Sequence, residues 1–430
     1  MNTLGSKPGL DCIQELCKRL GDPQDRLKFI HVAGTNGKGS VCAYLASILT
    51  ESRIRVGRYQ SPTIRDYRER IMVGRQMIPK KDLFRLMDQV RKACDEMVLD
   101  GMPHPTSFEA ETALSFLYFV EKGCELVILE TGMGGTFDAT NLIRTTQVAV
   151  LTSISMDHMA FLGNTLSEIA QHKAGIIKEH CHVVTCQQPQ EVMQVIEAAC
   201  QEKDAVLHVA GMNDKKETYV DQKKYGIRKQ SFRYGKKLKI EIPLIGRYQI
   251  ENAVTALEAV EVLRKLGYHI SGQQMIQGFR NTVWNGRFTL LSEKPYFIVD
   301  GAHNEDAAKK LADSVQFYFT NKKIIYIMGI LKDKEYEKII QVMAPFADSI
   351  ITVKTPDNPR AMDAFELASV AMQYHPKVTA AGSIEEAIEM SYLLSDKDSV
   401  ILAFGSLSYL GRVMDVMKKR DKQGKRHNGR

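Results

Sequence analysis

Short apolar runs alternate along the chain with longer segments whose apolar residues recur at helical spacing. Such alternation predicts parallel strands joined by right-handed helical crossovers, which is the doubly wound α/β class. In the first part of the chain the predicted strands are residues 27–33, 55–59, 124–130, 147–154 and 181–186. The predicted helices there are residues 10–20, 41–50, 81–99, 108–122, 165–174 and 246–266.

The same alternation begins again after residue 287, so a second, smaller α/β unit is expected. Its predicted strands are 296–300, 323–328, 348–353, a short one near 377, and 398–404. Its predicted helices are 303–318, 335–345, 364–373, 384–393 and one from 406. We therefore expect a first domain over 1–286, a second over 287–417 and a basic, disordered tail over 418–430.

Two stretches of the first domain do not follow the alternation. Residues 64–75 have mixed, mainly basic charge and are predicted to form a loop. Residues 217–242 alternate charged and apolar positions, which predicts antiparallel strands at the edge of the first domain.

The charge of the chain argues against a nucleic-acid partner. Its formal net charge is +7, and the 13 residues from Lys418 contain seven Lys or Arg and one Asp, a net of +6. The remaining chain is nearly neutral, so no basic binding face is indicated. No apolar stretch approaches the roughly 20 residues that span a bilayer, and the N-terminus has no apolar signal core, so a cytoplasmic protein without a membrane partner is expected.

A glycine-rich turn joins the predicted strand 27–33 to the helix that follows it. The turn reads Gly34-Thr35-Asn36-Gly37-Lys38-Gly39-Ser40. Glycines let backbone N–H groups approach phosphate oxygens, while the helix N-terminus and Lys38 add positive charge. The spacing differs from the common G-x-x-x-x-G-K-[ST] form, because Val32 stands where the first glycine would be. We interpret the turn as a nucleotide-phosphate loop; the alternative is a tight turn with a surface lysine.

Polar residues follow other predicted strands of the first domain. Ser61, Glu130 and His158 each lie just past a strand end, as Lys38 does. Ligands of doubly wound sheets collect at the carboxyl ends of the strands. Glu130 is therefore a candidate Mg²⁺ ligand, or else a helix cap or surface acid. His158 is a candidate metal ligand or a structural histidine.

The second domain repeats this arrangement of polar residues. Asp300 ends a predicted strand and opens a helix, so it either contacts a ligand or caps that helix. Arg287 lies at the expected hinge between the domains, from which it can reach phosphate across a cleft. Gly405-Ser406 is a weaker candidate for a ligand-binding turn.

These residues together resemble the Mur ligase superfamily and, within it, the folylpolyglutamate synthase and dihydrofolate synthase family. The clearest motif is His31–Ser40, and further matches extend to about residue 417. They are Lys7–Leu10, Ser61-Pro62, Glu69–Ile71, Pro105–Glu109, Glu130–Gly135, Asp157-His158, Lys173–Lys178, Gln249–Ala253, Trp284–Arg287, Asp300–Asn304 and Gly405–Leu407. The resemblance implies a P-loop ATPase-like first domain and a Rossmann-like second domain.

The resemblance also implies roles for individual residues. It places the nucleotide on the loop Gly34–Ser40 and on Asn252, Arg287 and Asp300. It implies two Mg²⁺ ions on Ser61, Glu130, His158 and Lys173, with Lys173 carbamylated by CO₂, and K⁺ as an additional candidate ion. It counts Lys38, Lys173 and His303 as catalytic. Lys173 has no distinguishing pattern of its own, and Tyr248 stands where a histidine is usual.

The activity implied is ATP-dependent amide formation, in which L-glutamate joins the γ-carboxylate of a folate through an acyl phosphate. Dihydropteroate is a second implied acceptor, and a monomer is expected. Thr63 and the pair Tyr67-Arg68 depart from the family pattern near the expected pterin site. Two alternatives stay open: a Mur-type ligase of another carboxylate, and a nucleic-acid-associated P-loop ATPase that uses the basic tail.

Overall fold

The computed structural model describes residues 9–212, 220–235 and 238–427. Lys7 and Pro8 of the motif Lys7–Leu10 therefore lie outside the described residues. The largest sheet is built from the strands β1 (Phe29–Ala33), β2 (Val56–Tyr59), β3 (Ile71–Val73), β4 (Gln76–Met77), β5 (Leu126–Glu130), β6 (Thr146–Leu151), β7 (His182–Thr185) and β8 (Val206–Val209). Their order is β4-β3-β2-β5-β1-β6-β7-β8. From β2 to β8 the strands are parallel, as predicted, and helices cover both faces of the sheet.

Helices of this first part of the chain separate into two layers. They are α1 (Asp11–Arg19), α2 (Lys38–Glu51), α3 (Lys80–Leu99), α4 (Ser107–Glu121), α5 (Met159–Leu162), α6 (Leu166–Ala174), α7 (Gln190–Glu202), α8 (Tyr248–Lys265) and α9 (Gly272–Arg280). Helices α2, α8 and α9 bury their apolar residues on one face of the sheet. Helices α1, α3 and α4, together with α6 and α7, cover the other face. Both faces of β1 and β5 are thereby buried, which suits their continuous apolar sequences.

Residues 64–75 are more ordered than the loop that their composition predicts. Asp66 and Glu69 form a capping box around a short helical turn, Tyr67–Arg70. The chain then pairs back on β2 as the antiparallel strands β3 and β4. The loop prediction is wrong here because the apolar segment 71–73 gains an ordered partner in β2, a contact that local composition cannot reveal.

The alternating segment after residue 219 forms antiparallel strands, as predicted, but in a sheet of its own. Strands β9 (Val220–Lys224), β10 (Gln230–Tyr234) and β11 (Leu238–Ile242) lie in the order β11-β10-β9. Phe232, Ile240 and Ile242 pack into the core beneath α8. Residues 217–219 and 236–237 of that prediction lie outside the described residues.

The second part of the chain contains the third sheet. Its strands are β12 (Thr289–Glu293), β13 (Tyr296–Asp300), β14 (Ile324–Met328), β15 (Ser349–Thr352), β16 (Val378–Ala380) and β17 (Val400–Phe404), in the order β12-β13-β17-β14-β15-β16. All neighbours are parallel except β12, an antiparallel edge strand. The helices are α10 (Glu305–Tyr318), α11 (Tyr336–Met343), α12 (Ala364–Ala371), α13 (Ile384–Leu394) and α14 (Leu407–His427).

The C-terminal helix corrects one expectation. Residues 418–427, which composition predicts to be disordered, continue α14 in the structure, while 428–430 lie outside the described residues. Val413, Met414 and Met417 bury the preceding turns against the third sheet, so the helix is already nucleated where the basic segment begins. Lys and Arg are good helix formers, and their charge is favourable near a helix C-terminus.

Candidate active site

The predicted phosphate loop connects β1 to α2, and Gly37 is the residue that opens the helix. Gly37 has φ +95°, a conformation that favours glycine. A Cβ atom at this position would also come within 2.5 Å of the Asn252 side-chain oxygen. Lys38, Gly39 and Ser40 form the first turn of α2, whose backbone N–H groups are available to an anion.

Two lysine ammonium groups donate hydrogen bonds to one backbone carbonyl in this loop. The Nζ atoms of Lys38 and Lys173 lie 2.9 Å and 3.0 Å from the Gly34 oxygen. Lys173 comes from the end of α6 and is only 3% exposed. Burial, with the charge of Lys38, lowers the pKa of Lys173 to about 7, so a substantial fraction of this amine is neutral at neutral pH.

Glu130 ends β5 beside the loop and is buried, so it is not a surface acid. Its Oε2 atom has no hydrogen-bond partner in the structure, while the Ser61 backbone N–H donates to the carboxylate. Burial raises the pKa of Glu130 to about 7, although Lys38 and Arg287 act in the opposite direction. An unpartnered buried carboxylate oxygen beside a phosphate loop is a suitable ligand for a hard cation.

The remaining predicted metal ligands face a second, larger cleft. Ser61 and His158 line a space of about 1660 Å³, together with His303. Burial lowers the pKa of His158 to about 4, so its imidazole is neutral. Within the described ranges, no group of three or more His, Cys, Asp or Glu side chains could hold a metal ion. The predicted ligand set supplies one carboxylate and one imidazole, so further oxygen ligands have to come from hydroxyl groups, modified side chains or substrate.

His303 lies on the C-terminal side of this cleft. Its Nδ1 atom is 2.7 Å from the Gly301 carbonyl oxygen, so Nδ1 carries the hydrogen and donates. Burial, with the charge of Lys334, lowers the pKa of His303 to about 4. A neutral imidazole with its Nε2 atom available as an acceptor therefore lies opposite Ser61 and His158.

A cleft of about 660 Å³ runs from the phosphate loop to the second part of the chain. Seven of the predicted nucleotide-binding residues line it: Asn36, Gly37, Gly39, Ser40, Asn252, Arg287 and Asp300. Gly34, Thr35 and Lys38 of the same loop are not among the residues that line this cleft. Asn252 is held by Gln249, whose side chain also donates to the Ser40 hydroxyl at 3.2 Å.

Asp300 is fixed at the end of β13 by three donors and does not cap a helix. Its carboxylate accepts from the backbone N–H groups of Phe288 and Ala302 and from the Tyr248 hydroxyl. The residue that caps α10 is Asn304, whose side chain accepts from the Ala307 N–H. The helix-cap alternative for Asp300 is therefore wrong. Tyr248, one of the departures from the family pattern, orients this aspartate.

Contacts between the two sides of the cleft join residues of the sequence motifs to Lys334 and Asp306, which were not selected from the sequence. Asp157 lies 3.2 Å from the Lys334 ammonium and accepts from Asn304 at 2.9 Å. Asn36 of the phosphate loop donates to Asp306 at 2.8 Å. The signal that identified Glu130 also applies to Lys334, because Lys334 follows strand β14 in the loop at its carboxyl end.

The two α/β parts of the chain, with a cleft between them, and the matches to known families together define the class of this protein, an ATP-dependent ligase. Residues 32–260 match the sequence model of the Mur ligase middle domain, and residues 286–407 match the Mur ligase glutamate ligase domain. The chain belongs to the Mur ligase family, in the group that contains the folylpolyglutamate and dihydrofolate synthases.

Characterised relatives cover nearly the whole chain. The chain is 34% identical to the dihydrofolate synthase/folylpolyglutamate synthase of Bacillus subtilis, over 96% of each protein. It is also 34% identical to the folylpolyglutamate synthase of Lacticaseibacillus casei, over 81% of this chain and 82% of that protein.

Solved structures support the same fold. Folylpolyglutamate synthase of Mycobacterium tuberculosis, complexed with ADP and AMPPCP, superposes with a TM-score of 0.87 at 28% identity, covering 95% of each chain. FolC of E. coli, in complex with DHPP and ADP, gives a TM-score of 0.85 at 27% identity, covering 98% of this chain and 95% of that one. Over the part of the chain that is described, none of the helices has the length and apolar character needed to cross a bilayer.

Proposed function

We propose that this enzyme adds L-glutamate to the γ-carboxylate of a reduced folate, with ATP as co-substrate. The observation that carries the proposal is a cluster of charged groups: Lys38 and the buried Lys173 share the Gly34 carbonyl, and Lys38 and Arg287 act electrostatically on the buried carboxylate of Glu130. Neither the two lysines nor Glu130 has an ion-pair partner among the described side chains, and their neighbours Ser40 and Ser61 line the nucleotide cleft and the larger cleft, respectively. In our proposal the triphosphate and the carboxylate substrate meet beside these groups.

The first step of the proposed reaction activates the acceptor carboxylate. Its oxygen attacks the γ-phosphorus of ATP, the bond to the β,γ-bridging oxygen breaks, and ADP and an acyl phosphate result. Lys38 and Arg287 offset the negative charge that accumulates during this transfer. Gly37, Gly39 and Ser40 would present backbone N–H groups to the phosphates.

In the second step the neutral amine of L-glutamate attacks the acyl carbon, and inorganic phosphate leaves as the amide bond forms. The attacking nitrogen loses a proton, and the neutral imidazole of His303 in the acceptor cleft is a group able to take it. Acyl phosphates hydrolyse readily, so the contacts between Asp157, Asn304 and Lys334 that hold the two sides together would also limit the entry of water.

Mg²⁺ fits the residues present, because Glu130 has an unpartnered buried oxygen next to the phosphate loop. Ser61, Glu130, His158 and a carbamylated Lys173 would hold two such ions, which supply Lewis-acid stabilisation of phosphate oxygens. Lys173 suits carbamylation because its lowered pKa leaves neutral amine available to react with CO₂, with release of a proton. K⁺ is retained as an additional candidate ion.

The larger cleft has the composition expected for a folate. Phe108 and Phe137 line it and offer rings against which a pterin can pack. Arg70, Lys334 and Arg360 line it too. Each pairs with a carboxylate of the protein in the structure, so to bind the carboxylates of the glutamate portion it would share or exchange that partner. The acceptor and L-glutamate would therefore share one space next to the nucleotide.

Dihydropteroate is the second proposed acceptor. Several relatives are named for both activities. The cleft also extends past Thr106 and Glu109 to the buried carboxyl group of Asp138, whose pKa burial raises. Steady-state assays with MgATP, L-glutamate and either tetrahydrofolate or dihydropteroate test both activities. Turnover of neither acceptor, with turnover of a UDP-linked carboxylate instead, would favour the Mur-type alternative.

We further propose a cytoplasmic monomer without a nucleic-acid partner. The alternative, a nucleic-acid-associated ATPase, requires that the basic C-terminal residues contribute to activity. Truncation after Arg420 retains the pair between Arg420 and Glu389, which anchors α14 to α13. We expect this variant to have the wild-type rate of ATP-dependent ligation. Nucleic-acid-stimulated ATP hydrolysis that disappears on truncation would support the alternative.

A further inference from the structure

A third cavity, of about 570 Å³, lies under the turn that follows β2 and against the hinge segment 283–285. It is separate from the nucleotide cleft, and it shares only Pro62 with the lining of the acceptor cleft. The family roles given above leave its polar lining residues unassigned.

Three buried polar atoms around this cavity have no hydrogen-bond partner. They are the Nε atom of Arg58, the Oε1 atom of Gln60 and the indole Nε1 atom of Trp284. Arg58 is 9% exposed and Gln60 is 2% exposed. Two donors and one acceptor are therefore unsatisfied around one cavity, an arrangement that is costly unless a ligand completes it.

Arg58 is the most unusual of these residues, because it is a buried cation without a counter-ion. No carboxylate of a described residue lies within 4.0 Å of its guanidinium. Its described contacts are the Met72 sulfur, at 2.7 Å, and the face of Trp284, whose ring centroid is 5.8 Å from the guanidinium carbon. A thioether is a weak acceptor, so Arg58 has no strong hydrogen-bond acceptor or direct ion pair, although the charges of Glu130 and Glu69 act on it from a greater distance.

The wall of the same cavity also contains a carboxylate, that of Glu69. Its described hydrogen bonds come from backbone N–H groups of the turn, at Ile64, Arg65 and Asp66. Among the described side chains, Glu69 has no cation within ion-pair distance. The cavity therefore has a positive group and a negative group that do not pair with each other.

We propose that this cavity is a binding site for a free α-amino acid. The ligand carboxylate pairs with the Arg58 guanidinium, and the ligand ammonium faces the Glu69 carboxylate. Small side-chain rotations on binding bring the enclosed Arg58 Nε, Trp284 Nε1 and Gln60 Oε1 atoms into hydrogen-bond contact with the ligand. A zwitterion is the small ligand that matches both charges and all three unsatisfied atoms.

Occupancy of this site would reach the phosphate loop through Trp284. A Cβ atom at Gly39 would come within 2.5 Å of Trp284 Cζ2, so the indole lies directly against the first turn of α2. Trp284 is also two residues before Gly286, in the segment that connects the two domains. The amino acid would therefore act as an effector of nucleotide binding.

Trp284 is the only tryptophan of the chain, so its fluorescence reports directly on the proposed site. We suggest titrating the full-length enzyme with glycine and L-glutamate, and with glutarate and ethylamine as ligands that lack one of the two charges. We expect the amino acids to change the emission with saturation. We expect glutarate and ethylamine to bind at least about tenfold more weakly.

Variants separate this site from the acceptor cleft, to which L-glutamate also binds in our proposal. Arg58→Met should weaken the glycine response at least about tenfold, whereas Lys334→Met, in the acceptor cleft, should leave that response unchanged. Gln60→Leu removes the amide oxygen that accepts from the ligand ammonium, so it should also weaken the glycine response at least about tenfold. This second variant keeps the test decisive if Arg58→Met does not fold.

Three outcomes would overturn the proposal. The first is no change in Trp284 emission with millimolar glycine or L-glutamate. The second is a response to glutarate equal to that of the amino acids, which would show that the ammonium is not recognised. The third is a Gln60→Leu variant that binds glycine like the wild type. None of these outcomes depends on ligase activity, so they are distinguishable from failure of the proposed function.

Discussion

Charged groups at the phosphate loop differ from those at the contact between the two domains. At the loop, Lys173 and Glu130 are buried without an ion partner among the described residues, and burial moves the pKa of each to about 7. At the contact, Asp157 is paired with Lys334 and accepts from Asn304. Although burial opposes it, the charge of Lys334 helps to hold the pKa of Asp157 well below its usual range.

In our proposal the difference separates groups that bind substrate from groups that hold the two domains together. A buried charge without a partner is expensive, and it persists where a ligand completes it. A paired charge contributes to alignment and is already satisfied. Substitutions at the loop should therefore abolish chemistry with little loss of stability, whereas substitutions at the contact should weaken the approach of the domains.

The largest effect is expected for Lys38→Ala. Loss of this ammonium removes positive charge from the transferring phosphoryl group, and we expect kcat for ligation to fall by about 1,000-fold. Steady-state ligation assays measure the effect, and thermal denaturation checks the fold. Lys28→Ala, at the exposed residue just before β1, is the matched control and should have wild-type activity. A rate for Lys38→Ala within tenfold of wild type would remove the phosphate-loop assignment.

Lys173→Ala should lower kcat by about 100-fold, because it removes the proposed carbamate ligand. Short carboxylates such as formate or acetate should restore part of the activity by occupying the vacated space. Lys178→Ala is the matched control, since Lys178 follows in the next turn and donates to the Asn141 carbonyl. We expect that control to lose stability and to show no rescue. Full activity of Lys173→Ala without added carboxylate would contradict the carbamate role.

Asp157→Asn tests the ion pair at the contact between the two domains. Asparagine keeps the shape but removes the charge that faces Lys334, so we expect kcat/KM to fall by about 30-fold, or about 2 kcal/mol. The affinity of the variant enzyme for ADP should change little. Glu335→Gln, which disrupts the exposed pair with Lys338, is the control. A decrease in ADP affinity equal to the decrease in kcat/KM would place Asp157 in the nucleotide site instead.

The smallest free-energy change, when expressed per pH unit, is the pH dependence of stability. The pKa of Lys173 is about 7 in the folded protein and near 10.5 in an unfolded chain, so the unfolded chain binds more protons between those values. The free energy of unfolding, relative to Lys173→Met, should therefore rise with pH in this window by at most about 1.4 kcal/mol per pH unit. Urea denaturation at pH 7, 8 and 9 in CO₂-free buffer measures the slope, and parallel curves for the two proteins would contradict it.

Sequence patterns predicted the parts of the site that lie at strand ends. Lys38, Glu130, His158 and Asp300 follow apolar strands, and a parallel sheet brings such ends together whatever the details of packing. Lys173 and Asn252 project from helices with no distinguishing pattern, so only resemblance pointed to them.

Other features depended on contacts that local sequence does not carry. The hairpin β3–β4 forms because its strand pairs with β2, and α14 extends through basic residues because its preceding turns are buried. The role of residues that connect the domains, such as Lys334, can be recognised only from the folded structure, in which the two sheets face the same cleft. The contact between Asn36 and Asp306 likewise joins positions 270 residues apart.

The shared carbonyl of Gly34 implies that the two lysines are chemically interdependent. Lys38 is one reason why the amine of Lys173 loses its proton so easily. An enzyme without Lys38 would hold a more basic Lys173, and CO₂ would then compete with a proton for the same lone pair. In our proposal, replacing both lysines should therefore cost little more than replacing Lys38 alone. Lys38, proposed to bind phosphate, would therefore also influence whether Lys173 is converted into the anionic carbamate.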